Sequence, residues 1–139
     1  MTHVVIDTNV LVSALLSKYD DAATVILIEK LLIGELVPLY SSVTMNEYHE
    51  VLHRKKFRFD TEQIDYILSV IRHYGLMIEP SPSNEVLPDM SDLPFYELAT
   101  EMQAKSIAYL VTGNKKHFPE RSYIVTPSEM LSLLETLLI

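Results

Sequence analysis

Residues 3–16 of the chain read HVVIDTNVLVSALL. The run from His3 to Ile6 is short and rich in β-branched residues, which predicts a strand. Val10 to Leu16 is apolar and follows the polar triplet Asp-Thr-Asn at 7–9, so we predict a buried helix there. A strand that passes directly into a helix is typical of parallel sheets, because a crossover must carry the chain back across the sheet.

The rest of the chain repeats this alternation of strands and helices. We predict strands at 37–40, 76–78, 108–112 and 123–125, and helices at 20–36, 41–53, 61–74 and 92–105. A last helix is predicted to open at Pro127, because residues 126–129 read TPSE, a capping box with proline at the first helical position. The pattern therefore predicts an α/β protein with a mostly parallel sheet covered on both faces.

Length and composition exclude several classes of protein. The 139 residues predict a single domain over 1–139. The absence of cysteine excludes a disulfide scaffold, a zinc–thiolate site and a cysteine nucleophile. With 11 Lys+Arg against 19 Asp+Glu, the net charge of −8 argues against a nonspecific nucleic-acid binder. We see neither a membrane span nor a signal peptide, so we expect a cytoplasmic protein without membrane contact.

Four oxygen-bearing side chains follow, or lie close after, the predicted strands. Asp7 directly follows the first strand, and Glu47 lies early in the helix after the second. Asp92 begins the helix after the third strand, and Asn114 comes just after the fourth. Ligands of open α/β sheets bind beyond the carboxyl ends of the strands, so we expect these four side chains to meet at one edge of the sheet.

Each of these residues also has an ordinary local explanation. Asp7 and Asp92 could cap helices, Glu47 could close a capping box with Thr44, and Asn114 could be a turn residue. Capping does not explain why all four arrive at the same edge. Clustered carboxylates repel one another unless a cation is present, and hard oxygen ligands suit Mg²⁺ or Mn²⁺. Such a site supports phosphoryl transfer to water.

Five segments of the chain together form a recognisable series. They are residues 4–15, Glu47 ahead of Val51 and Leu52, residues 92–99, residues 109–119 and residues 125–131. This series resembles the PIN-domain ribonucleases, especially the branch that supplies the toxins of toxin–antitoxin pairs. The resemblance implies a three-layer α/β/α sandwich. It also implies an endoribonuclease that uses Mg²⁺ or Mn²⁺ for two-metal-type hydrolysis of RNA and is blocked by a cognate antitoxin protein.

The resemblance also implies roles for individual residues. Asp7, Glu47 and Asp92 match the acidic metal ligands and catalytic residues, whereas Asn114 stands at a position that is commonly aspartate in PIN domains. An amide can coordinate a cation but brings no charge, so a second metal ion should bind more weakly. Glu97 is the first candidate to supply the missing charge. Asp89 is a poorer substitute, and the small polar residues expected to hydrogen-bond the ligands or an attacking water are Thr8, Asn9 and Thr112.

Two basic clusters are candidate contacts for single-stranded or structured RNA. The first is Lys115, Lys116 and His117, next to Asn114, and its alternative is a solvated loop. The second comprises Arg54, Lys55, Lys56 and Arg58, with Phe57 and Phe59 on either side of Arg58. This spacing suits an RNA backbone with base stacking. It suits equally a helix C-terminus with favourable cations and two buried phenylalanines.

Other functions remain to be weighed against the ribonuclease. A PIN-fold module that has lost catalysis and only binds RNA or a protein partner is favoured by Asn114. A phosphoacceptor receiver domain needs an adjacent acidic pair after the first strand, but here Ile6 precedes Asp7 and no acidic residue follows it. An Asp-x-Asp phosphatase is disfavoured because Asn9 occupies the position of the second aspartate. The excess of apolar helix surface also predicts a homodimer.

Overall fold

The computed structural model describes residues 2–137; residues 1, 138 and 139 of the predicted domain lie outside the described part. The strands are β1 His3–Ile6, β2 Val37–Tyr40, β3 Leu76–Met77, β4 Ala108–Val111 and β5 Ile124–Val125. The α-helices are α1 Thr8–Leu16, α2 Ala23–Leu32, α3 Ser42–Leu52, α4 Thr61–Tyr74, α5 Leu93–Gln103 and α6 Pro127–Leu137. A 3₁₀ turn at Met90–Asp92 precedes α5, and a second 3₁₀ turn at Lys115–His117 follows β4.

The strands form one five-stranded sheet in the order β3-β2-β1-β4-β5, with every neighbouring pair parallel. The central strand is β1, whose residues His3 to Ile6 pair in register with Ala108 to Val111 of β4. Val4, Val5 and Ile6 are fully or almost fully buried, as expected for a strand covered on both faces. The predicted α/β sandwich is confirmed, and the sheet is parallel throughout rather than mostly parallel.

Helix α2 is shorter than the predicted helix at 20–36. It ends at Leu32, because Gly34 adopts a left-handed conformation with φ of 80°. The N–H of Glu35 then donates to the carbonyl of Lys30, the six-to-one bond of a Schellman motif. Only glycine adopts this φ without strain, so Gly34 stops the helix and turns the chain into β2.

The predicted capping box of the last helix is present. The N–H of Thr126 donates to Glu129 Oε1 at 2.9 Å, and the N–H of Glu129 donates to Thr126 Oγ1 at 3.2 Å. Among the helices of residues 2–137, none combines the length and the apolar character that crossing a membrane requires.

Candidate metal site

Asp7 lies at the carboxyl end of the central strand, where the chain leaves β1 for α1. Its carboxylate is buried, and Oδ2 accepts a hydrogen bond of 2.8 Å from Thr112 Oγ1, just beyond β4. Burial raises the pKa of Asp7, and the Thr112 hydroxyl partly opposes this by stabilising the ionised form. Asp7 is thus a carboxylate whose buried position disfavours its ionised form.

Glu47 reaches the same region from α3. Its Oε2 accepts a hydrogen bond of 2.6 Å from Thr8 Oγ1, in the first turn of α1. Partial burial raises the pKa of Glu47, the Thr8 hydroxyl lowers it, and the negative charge of Asp7 raises it further. Both carboxylates line the same cavity, so their negative charges repel each other.

Asp92 ends the 3₁₀ turn that leads into α5. Its Oδ2 is shielded from solvent and has no hydrogen-bond partner within the described residues; His117 Nδ1 stands 3.3 Å away. Burial and then the charge of Asp7 raise the pKa of Asp92 to about 6. A buried carboxylate oxygen without a hydrogen bond is costly, so it needs an explanation beyond the fold.

Helix capping does not provide that explanation for any of the three carboxylates. Asp7 and Asp92 occupy N-cap positions but make no side-chain capping bond. The capping box of α3 is formed by Ser41 and Thr44 rather than by Thr44 and Glu47. The local alternatives weighed from the sequence are therefore wrong for these side chains, which face a common space instead.

That space is a cavity of about 230 Å³. Four of its lining residues are acidic: Asp7, Glu47, Asp89 and Asp92. Its other lining residues are Thr8, Asn9, Val51, Arg54 and Ser91. With four carboxylates against one guanidinium, the cavity carries a strong negative potential that a divalent cation would relieve.

The donor set fits a hard cation. The acidic side chains offer only oxygen atoms as ligands, and Asp92 Oδ2, which accepts no hydrogen bond among the described residues, is available to an ion. Within residues 2–137, however, no three His, Cys, Asp or Glu side chains are already close enough to hold one ion. Magnesium commonly takes only one or two carboxylates and keeps its waters, so the cavity fits a partly hydrated Mg²⁺ or Mn²⁺ rather than a fully enclosed ion.

Two predicted ligands lie elsewhere. The carboxylate of Glu97 accepts a hydrogen bond from the backbone N–H of Ser83, so it holds the loop at 78–89 and does not line the cavity. The structure therefore does not bring Glu97 to the other predicted ligands. Asn114 is exposed and lies outside the lining, although its N–H donates to Thr112 Oγ1 at 3.1 Å.

Asp89 instead brings the fourth carboxylate to the cavity. Its Oδ1 accepts hydrogen bonds from the N–H and the hydroxyl of Ser91, which hold the pKa of Asp89 below its ordinary value. The sequence offered one signal for this arrangement, since Asp-x-Ser is a common turn in which the aspartate accepts from the residue two positions on. The sequence did not predict that Ser91 would lie at the site.

Most of the predicted RNA contacts are exposed but lie outside the cavity. Lys115 forms an ion pair of 3.1 Å with Glu129, and Lys116 lines a separate cleft of about 650 Å³ that also contains Arg121. In the second cluster, Lys55, Lys56 and Arg58 are exposed, whereas Arg54 lines the cavity.

The two phenylalanines of the second cluster do not offer free faces for bases. Phe57 and Phe59 stack on each other with ring centroids 5.4 Å apart and pack against the core. Lys56 lies over the Phe57 ring at 5.1 Å. The structure therefore favours the interpretation of a packed helix terminus over that of base stacking at these rings.

Sequence reasoning missed Tyr48, which lies in the core beside the site. The side chain is buried on α3, its hydroxyl donates to the carbonyl of Ile6, and its ring packs near Phe95. Burial raises the pKa of Tyr48 far above its ordinary value, so the hydroxyl stays a donor. Tyr48 thus fixes the end of β1 immediately before Asp7.

The fold and the cavity define an α/β protein with a candidate metal site at the carboxyl ends of its central strands. A profile of the PIN domain matches residues 3–116, and the chain belongs to the PIN domain family. PIN domains are generally nucleases and typically use divalent metal ions. A search of curated proteins found no significant match.

Proposed function

We propose that the protein is an endoribonuclease that depends on Mg²⁺ or Mn²⁺ and hydrolyses RNA phosphodiester bonds. The observation that carries the proposal is the solvent-shielded Oδ2 of Asp92, which accepts no hydrogen bond among the described residues and has only His117 Nδ1 near it, in a cavity that also contains Asp7 and Glu47. Membership of the PIN domain family supports nuclease chemistry as the use of such a cavity.

Asp7, Glu47 and Asp92 would hold the metal. When bound, such an ion lowers the pKa of water and neutralises charge that develops on the phosphate. Thr112 and Thr8 orient the carboxylates of Asp7 and Glu47 by donating hydrogen bonds to them. Hydrolysis with water as the nucleophile breaks the bond between phosphorus and the 3′ oxygen, which leaves 5′-phosphate and 3′-hydroxyl ends.

The test is cleavage of a generic single-stranded RNA with Mn²⁺ by the wild type and by Asp7→Asn. The substitution removes a charge at the centre of the cavity, and we expect activity to fall at least about 100-fold, as for loss of a group that stabilises the transition state. Asp65→Asn, on the exposed face of α4, is the matched control and should retain activity. Activity that survives Asp7→Asn contradicts the proposal.

We further propose that this nuclease is the toxin of a toxin–antitoxin pair. The support is the series of sequence segments that resembles that branch of the family. Expression of the wild type should arrest growth of host cells while Asp7→Asn should not, and a short adjacent reading frame for a DNA-binding protein should encode a partner that restores growth. Growth that is equal with both variants contradicts the toxin role.

A second candidate is a PIN-fold module that binds RNA or a protein partner without efficient cleavage. It is favoured by the exposed, uncharged Asn114 and by the absence, within residues 2–137, of a preformed cluster of three ligands. This candidate predicts that the wild type binds RNA but does not cleave it. Because Asn114 lies outside the lining of the cavity, Asn114→Asp should leave cleavage at the low level of the wild type.

A further inference from the structure

Arg54 is distinct from the other cations that the sequence offered as RNA contacts. It is the one cation among the described residues that line the acidic cavity, whereas Lys55, Lys56, Arg58, Lys115 and Lys116 lie outside that lining. Its backbone is held where α3 ends, with its N–H donating to the carbonyl of Val51 at 3.1 Å. The chain therefore places a guanidinium beside carboxylates that would otherwise repel a polyanion.

Arg54 has only a weak partner of its own. Its Nη2 lies 3.3 Å from Glu50 Oε1, one turn back along the chain, and their side chains are 47% and 67% exposed. Exposed pairs of this kind contribute little to stability because water screens them and both side chains remain free to move. The guanidinium can exchange this carboxylate for a better anion at small cost.

The chemistry of that anion follows from the guanidinium and the cavity. A planar guanidinium binds phosphate oxygens through two parallel hydrogen bonds. The scissile phosphate would be taken up by the ion that Asp7, Glu47 and Asp92 hold. Arg54 lies two residues past the end of α3 and lines the same cavity as Asp7, Glu47 and Asp92, which suits a phosphate next to the one at the ion.

We propose that Arg54 binds the RNA phosphate next to the scissile one and thereby sets the position of the strand across the cavity. The proposal rests on the proposed ribonuclease function. Glu50 then competes with the phosphate, because its carboxylate pairs with the Arg54 guanidinium when RNA is absent.

The first experiment measures RNA affinity by fluorescence anisotropy with Ca²⁺ in place of Mg²⁺, together with cleavage kinetics in Mn²⁺. Arg54→Ala should weaken RNA binding about tenfold, which is the scale of one charged hydrogen-bonding contact. It should raise KM more than it lowers kcat, and reduce the slope of log affinity against log salt by about 1. Arg72→Ala, which removes an exposed arginine from the last turn of α4, is the matched control and should change none of these.

Two further variants separate charge from geometry. Arg54→Lys should recover part of the affinity, because it keeps the charge but loses the paired hydrogen bonds. Glu50→Gln should tighten RNA binding in the presence of Arg54 and have no such effect in Arg54→Ala. Melting temperatures of all variants should match the wild type, since both side chains are exposed.

The second experiment locates the phosphate. Once the wild-type cleavage position is mapped, oligonucleotides carry a single uncharged methylphosphonate linkage on either side of it. At one flanking position the modification should weaken binding by the wild type as much as Arg54→Ala does, and should weaken Arg54→Ala no further.

The possible results separate the two proposals. If the wild type neither binds nor cleaves RNA, both the ribonuclease function and the role of Arg54 are overturned. If the wild type cleaves RNA but Arg54→Ala behaves like Arg72→Ala, or if every methylphosphonate effect adds fully to that of Arg54→Ala, only the role of Arg54 is overturned.

Discussion

Asp92 is the residue whose charge state couples the cavity most directly to pH. Its ordinary pKa of 3.8 is raised to about 6, so between these two values the folded protein binds a proton that the unfolded chain releases. The ionised carboxylate therefore destabilises the metal-free folded protein. Protonation of Asp92 removes this destabilisation as the pH falls through about 6. A bound cation requires the ionised form, so metal binding weakens over the same interval.

We expect the melting temperature of the wild type in chelator to rise relative to that of Asp92→Asn as the pH is lowered from 7.5 to 5.5. Asp92→Asn is the reference because it removes this charge while keeping the size of the side chain. At pH 7.5 without metal, Asp92→Asn should be the more stable of the two. Parallel melting curves at every pH would show that Asp92 carries no unfavourable charge.

Thr112 tests the supporting hydrogen bonds. Thr112→Val removes the hydroxyl that donates to Asp7 at 2.8 Å while keeping a buried side chain of similar shape. We expect the concentration of Mn²⁺ needed for half-maximal cleavage to rise about 10- to 100-fold, as is usual when a group that orients a metal ligand is lost. Thr100→Val, which loses the hydrogen bond to Tyr123 on the exposed side of α5, should leave this concentration unchanged. Equal metal requirements for the two variants would contradict a supporting role.

The arrival of Asp7, Glu47 and Asp92 around one cavity follows from the positions of the strands, which hydrophobic patterning reveals. Helical spacing, rather than the order of the strands, decides where Glu97 lies. Five residues separate it from Asp92, which on a helix is a rotation of about 140°, and it therefore faces the loop at Ser83. Asn114 is directed by a local bond from its N–H to Thr112 Oγ1, a feature with no periodic signal.

Among the secondary-structure elements, the junction of α4 and β3 has the tightest packing around a glycine. A Cβ placed on Gly75 would lie 2.2 Å from the carbonyl oxygen of Ile71 and 2.4 Å from that of Pro38. Both atoms belong to the backbone, so neither can move aside without displacing α4 or β2. The sequence predicted Gly75 as the end of the helix, but the close approach of β2 depends on tertiary packing and could not be read from it.

We expect Gly75→Ala to lower the free energy of unfolding by about 2–4 kcal/mol, in the range of substitutions that force atoms into a packed region. Gly113→Ala is the matched control, because no atom lies within 4 Å of its added Cβ. Its effect should stay within about 1 kcal/mol and could stabilise the protein by restricting the unfolded chain. Urea denaturation of the two variants gives the comparison, and similar midpoints would contradict the packing assigned to Gly75.

At the scale of the whole molecule, the acidic cavity adds to an overall net charge of −8. A cation that binds only the folded state raises its stability, by about 2.7 kcal/mol when its concentration is 100 times Kd. We therefore expect saturating Mn²⁺ to raise the melting temperature of the wild type by about 5–10 °C. Asp7→Asn should lose most of this increase while Asp65→Asn keeps it. Equal increases in both would show that the ion acts elsewhere on the surface.

The topology of the molecule also determines when in its synthesis Asp7 gains all of its supporting contacts. The Asp7 carboxylate depends on Thr112, which lies 105 residues further along the chain, and β1 has β4 as one of its two neighbours. A nascent polypeptide in which β4 and Thr112 have not yet been made therefore lacks one neighbour of β1 and the hydrogen bond to Asp7. Under the proposed function, we expect such a fragment to be a poor nuclease toward the messenger that encodes it.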